Sequence, residues 1–151
     1  MKYPEATILI AEDNRDDALL IQRALRRANL INPLQVVANG EQVIQYLKGD
    51  GQYADRSSYP LPELVLLDLQ MPRVSGLEAL KWIREQPEFG LLPVVILTSS
   101  DQAPDARRAF ELGANSYLIK PGNFEELAQM AQRLGASWLL LKEPAGHDAV
   151  A

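Results

Sequence analysis

The chain has 151 residues, of which 47% are apolar and 23% charged, so it is long enough for one domain with a sizeable buried core. A formal net charge of −5 with no basic patch or arm argues against nucleic-acid binding. The absence of cysteine excludes disulfides and thiolate metal sites. The opening Met1-Lys2-Tyr3-Pro4-Glu5 lacks the apolar stretch of a signal peptide, and no apolar run reaches membrane-span length, so a cytoplasmic protein without membrane attachment is expected.

Strand-like and helix-like segments alternate along the chain. Ile8 to Ala11 reads as a first strand, and Asp16 to Ala28 as a helix whose Ala18, Leu19, Ile21, Gln22 and Leu25 follow a period near 3.6. Leu34 to Val37 is a short second strand. Asn39 is a candidate N-cap for a helix through Leu47. Residues 48 to 63 hold Gly49, Asp50, Gly51, Ser57, Ser58, Pro60 and Pro62, and read as a loop. Leu64 to Leu67 is the third strand, and Ser75 or Gly76 opens a helix through Arg84. Val94 to Leu97 is the fourth strand. A helix from Ala103 to Leu112 stops at Gly113, a natural residue to follow a helix end. Ser116 to Ile119 is the fifth strand, and Asn123 can cap a last helix running past Trp138. Alternation of this kind favours an α/β protein with a parallel sheet covered on both faces.

The chemistry gathers where the strands stop. Glu12-Asp13 ends the first strand, Asp68 the third, Thr98-Ser99 the fourth and Lys120-Pro121 the fifth. In open α/β sheets the carboxyl ends of the strands are where ligands bind. Carboxylates crowded at one edge repel each other and invite a hard divalent cation. A lysine and a hydroxyl beside them can hold phosphoryl oxygens. Asp68 is then a carboxylate able to attack phosphorus. Asp16 and Asp17, in the first turn of the first helix, read as surface residues that complement the helix dipole.

These residues in this order resemble the receiver domain of the two-component response-regulator family. The match rests on Glu12-Asp13, Asp68 followed by Leu69-Gln70-Met71-Pro72 and Gly76, Thr98-Ser99, Gly113-Ala114, Tyr117 and Lys120-Pro121, and spans residues 6 to 141. The resemblance implies a flavodoxin-like (CheY-like) three-layer sandwich, with a five-stranded parallel sheet in the order 2-1-3-4-5 and five helices. It implies a receiver over residues 1 to 142, and residues 143 to 151 are expected to form a disordered tail. It also implies roles. Asp68 is the phosphoacceptor; Lys120 and Thr98 contact the phosphoryl group; Thr98 and Tyr117 are the switch pair; the Lys120–Pro121 bond is cis. Mg²⁺ is held by Asp13, Asp68 and the backbone carbonyl of Gln70, and by Glu12 through water.

The expected function is that of a stand-alone response regulator. A histidine kinase passes a phosphoryl group to Asp68, and the surface of the fourth helix, fifth strand and fifth helix responds. Asp13-Asn14 followed by Asp16-Asp17, the long loop before the Asp68 strand and the lack of an appended output domain resemble the regulators that partner cyanobacterial phytochrome kinases. A homodimer through that same responding surface is expected, since Trp138 to Leu141 is apolar all round. Two alternatives stand beside this reading. A phosphorylation-independent interaction module would not need the acid, hydroxyl and lysine set. A hydrolase of the aspartyl-phosphate type usually has a second aspartate two residues after its nucleophile, where this chain has Gln70.

Overall fold

A computed structural model describes residues 6–142 of the chain, with side chains as far as residue 137. Five strands, β1 (Ile8–Ala11), β2 (Leu34–Val37), β3 (Leu64–Leu67), β4 (Val94–Thr98) and β5 (Ser116–Ile119), alternate with five helices. The helices are α1 (Arg15–Arg27), α2 (Gly40–Lys48), α3 (Gly76–Glu85), α4 (Ala103–Glu111) and α5 (Phe124–Lys142). All strand pairs are parallel, and the order across the sheet is β2-β1-β3-β4-β5. This is the expected order, with β1 and β3 adjacent at the point where the winding reverses.

Alternation along the strands divides the core into two layers. Leu9, Ala11, Val65, Leu67, Val94 and Ile96 pack on one face with residues of α2, α3 and α4. Their neighbours Ile8, Ile10, Leu64, Leu66, Val95 and Leu97 pack on the other face, against Ile21, Ala24 and Leu25 of α1 and Ala131 of α5. Both faces are covered, which is why the central strands are apolar throughout rather than alternating with polar residues.

Helix starts follow the expected chemistry. Asn14, Asn39 and Ser75 cap α1, α2 and α3 with side-chain oxygens, and Ser75 forms a reciprocal capping box with Glu78. Gly76 has a further reason to be glycine: a Cβ there would lie 2.1 Å from the carbonyl oxygen of Asp68. The start of α3 therefore packs directly on the backbone of the β3 end. Gly113, after α4, has φ +104°, and its carbonyl accepts from Arg84 Nε at 3.0 Å.

Two expectations are corrected. The segment between α2 and β3 is more than a loop. It contains a 3-10 turn at Gly51–Ala54 with a buried Tyr53, and the Arg56 guanidinium donates to the carbonyls of Tyr46 and Leu47 at the end of α2. Tyr46, Tyr53 and Tyr59 pack ring against ring, with centroids 5.0 to 6.0 Å apart. The Lys120–Pro121 bond, expected to be cis, is trans, as is every peptide bond among the described residues. Trans is the lower-energy isomer by about 0.5–1 kcal/mol.

Candidate functional site

Strand alternation, carried one residue past the ladders, decides which side chains meet. Glu12 follows Ala11, Asp68 follows Leu67 and Lys120 follows Ile119, so all three turn to the α1–α5 face. Thr98 and Tyr117 share the parity of Ile96 and turn to the opposite face, where Tyr117 joins the α2–α4 core layer. The two groups predicted from strand ends are thus a charged cluster on one side and a hydroxyl pair on the other.

The charged cluster is built around the Lys120 ammonium. Its Nζ lies 2.5 Å from Glu12 Oε1, 3.2 Å from Asp68 Oδ2 and 3.3 Å from Asp17 Oδ2. Glu12 and Asp68 are buried, at 3% and 5% exposure, so a lone charge on either would be costly and the shared cation offsets it. The backbone holds both acids in place. Glu12 N–H donates to Val37 O at 3.0 Å and Asp68 N–H to Ala11 O at 3.1 Å. Asp68 Oδ1 accepts from Gln70 N at 3.2 Å, and Glu12 Oε2 from Asn14 N at 3.2 Å.

Burial pushes the Glu12 carboxyl up to about 7; the hydrogen bond from Lys120 pulls against that rise and the charge of Asp68 adds to it. Burial also disfavours the Lys120 ammonium, but its hydrogen bond to Glu12 and the charge of Asp68 outweigh that and raise the lysine.

Ligand oxygens of Glu12, Asp13 and Asp68 all lie within 4.8 Å of one another, with Asp13 exposed and the other two buried. An all-oxygen set of this size suits a magnesium-like ion, which keeps several of its waters and needs few protein ligands. Asp13 is the member that opens the cluster to solvent.

On the other face, Thr98 is fully buried at the end of β4 and its Oγ1 accepts from Ser100 N at 3.4 Å. Tyr117 is half-buried, and its hydroxyl donates to the Ser100 carbonyl at 2.9 Å. The loop after β4 is thereby tied to β5 through the tyrosine, and the Ser100 hydroxyl bonds Asp105 Oδ2 in the first turn of α4.

One residue of the cluster was misread from sequence. Asp17 is a contact of Lys120 rather than only a dipole-complementing surface acid. The signal was available: Asp17 sits four and eight residues before Ile21 and Leu25, on the buried stripe of α1, whereas Asp16 lies off it.

A five-stranded 2-1-3-4-5 parallel sheet with two acids, a lysine and a threonine at its carboxyl edge is the arrangement of a receiver-type α/β domain. The chain belongs to the response regulator receiver domain family, whose model matches residues 8–132. It is 34% identical over 136 residues to response regulator Rcp1 of Synechocystis sp., covering 90% of each chain. Among solved structures, the phosphorylated cyanobacterial phytochrome response regulator RcpA is 32% identical with a TM-score of 0.83, over 91% of this chain and 96% of that one. The Mn²⁺-bound form of Rcp1 is 33% identical with a TM-score of 0.79, over 89% and 95%. No helix among the described residues is long and apolar enough to cross a membrane.

Proposed function

We propose that Asp68 is the phosphoacceptor of this regulator, with Mg²⁺ as cofactor and a histidine kinase of the phytochrome type as donor. The observation that carries the reading is the buried Asp68 carboxylate, 3.2 Å from the Lys120 ammonium and within one cation's reach of Asp13 and Glu12. The likeness to a phosphorylated phytochrome response regulator and to the Mn²⁺-bound form of response regulator Rcp1 supports it.

In this reading an Asp68 oxygen forms a bond to phosphorus as the bond from phosphorus to the donor breaks, and the electron pair leaves with the donor's imidazole. Bound through Asp13, Asp68, the Gln70 carbonyl and, by way of water, Glu12, Mg²⁺ would neutralise the carboxylates and draw in the phosphoryl oxygens. Lys120 donates to one of those oxygens. Thr98 donates to another by turning its hydroxyl from the Ser100 amide, and the loop it leaves is the one Tyr117 holds. The consequence is a two-state change in the surface of α4, β5 and α5, which is where we place signalling partners and a second copy of the chain. The protein promotes its own phosphorylation and dephosphorylation rather than turning over a substrate. Residues 1 to 142 form the receiver, and the protein acts in the cytoplasm without binding nucleic acid or membrane.

Acetyl phosphate with Mg²⁺, followed by intact mass, tests this. One phosphate on the wild type and none on Asp68→Asn is expected. Rapid release of phosphate without an adduct would favour a hydrolase, and no adduct at all would favour an interaction module.

A further inference from the structure

We propose that Asp17 is a positioning residue for Lys120: with Glu12 it fixes the ammonium so that its third N–H is aimed at Asp68 and kept for the incoming phosphoryl group. An ammonium has three donors at tetrahedral angles, and once two are held the direction of the third follows. Here the three partners are three carboxylates from three elements: Glu12 after β1, Asp17 on α1 and Asp68 after β3. Glu12 alone would leave the ammonium free to pivot about a single short contact.

The placement of Asp17 is itself built. Its backbone N–H donates to Asn14 Oδ1 at 2.9 Å, which sets the first turn of α1. Its side chain lies on the stripe of α1 that packs on the same sheet face as Lys120. It remains 43% exposed, while the Lys120 side chain is only 14% exposed. Asp17 is thus the solvent-side wall of the lysine's cage and takes no place among the clustered metal-type ligands.

Removing Asp17 has two opposite effects on transfer. It loosens the ammonium, which slows the step. It also removes a negative charge facing an anionic donor, which speeds approach. Added salt shortens the reach of the second effect to about 3 Å near 1 M and leaves the first. Asp16→Ala is the control, because it deletes the same charge from the same helical turn without touching Lys120.

This inference rests on Asp68 being the phosphoacceptor, and the experiment separates the two. In the metal-free full-length protein, the Lys120 side-chain ammonium is followed by ¹H–¹⁵N NMR in the wild type, Asp17→Ala, Asp17→Glu and Asp16→Ala. Asp17→Ala should free the ammonium, with faster rotation and faster exchange with water; Asp17→Glu should restore much of the restraint and Asp16→Ala should leave it unchanged. Then phosphorylation by saturating acetyl phosphate with Mg²⁺ is timed at high salt. Asp17→Ala should slow the rate constant about tenfold, with no rise in the donor concentration at half-saturation. An ammonium equally restrained in Asp17→Ala, or an unchanged or faster rate constant at high salt, overturns the proposal. If the wild type takes no phosphate, the phosphoacceptor reading falls, and the ammonium measurement alone decides whether Asp17 holds Lys120.

Discussion

Glu12 is buried beside the charge it must balance, and this makes the site sensitive to pH. Its carboxyl titrates near 7 in the folded protein against 4.5 ordinarily. Between those values the folded state keeps a proton that the unfolded chain has lost, so stability falls as pH rises through that window. Lys120 is raised from its ordinary 10.5, so its contribution is full throughout that window and fades only at higher pH. Denaturant unfolding in a chelator should therefore find the protein less stable at about pH 8 than at about pH 5.5, and Glu12→Gln should flatten the difference. An equal slope in the variant would mean another group carries it. Asp13, the exposed acid, should matter to metal and little to folding. Asp13→Ala should weaken Mg²⁺ binding by about tenfold or more in a calorimetric titration, with the metal-free protein as stable as before or more so. Unchanged affinity would remove Asp13 from the ligand set.

The end of β3 and the start of α3 are one mechanical unit. A methyl group on Gly76 would meet the Asp68 carbonyl at 2.1 Å and Leu69 Cα at 2.7 Å, both backbone atoms that cannot swing aside. Gly76→Ala should cost about 1–3 kcal/mol in chemical denaturation and also slow phosphorylation, because the strain falls on the loop that carries Asp68. A variant as stable as the wild type would contradict that packing. Much of this architecture was legible in the chain. The strands were found because apolar runs end abruptly on polar residues, and the helices because their caps and apolar stripes lie at the expected spacings. The strand order was not legible from periodicity and came with the resemblance. The Arg56 clamp was hidden because a Gly-, Ser- and Pro-containing stretch reads as a loop, and only tertiary packing brings Tyr53 and Tyr59 to Tyr46. The place of Asp17 on the buried stripe of α1 was legible, but its partner was not: Lys120 is 103 residues away, and an acid in a first helical turn already has a local explanation.

At the scale of the whole molecule, the proposed output is the α4–β5–α5 face. Phe110 on α4 and Ile119 on β5 are exposed there, at 52% and 46%. Leu127, Met130 and Leu134 of α5 pack inward instead, and the side chains of Trp138 to Leu141 lie outside the described residues. Light scattering should detect a homodimer that strengthens with the phosphoryl mimic beryllofluoride, and Phe110→Asp should weaken it. A monomer with and without the mimic, up to about millimolar concentration, would leave that surface to other partners. All of this depends on where the phosphate goes. Borohydride reduces an acyl phosphate on aspartate to homoserine, so treatment of the phosphorylated protein followed by peptide mass spectrometry reads the acceptor directly. The account predicts homoserine at position 68 and nowhere else. Homoserine at Asp13, Asp17 or any other aspartate with position 68 unmodified would contradict it.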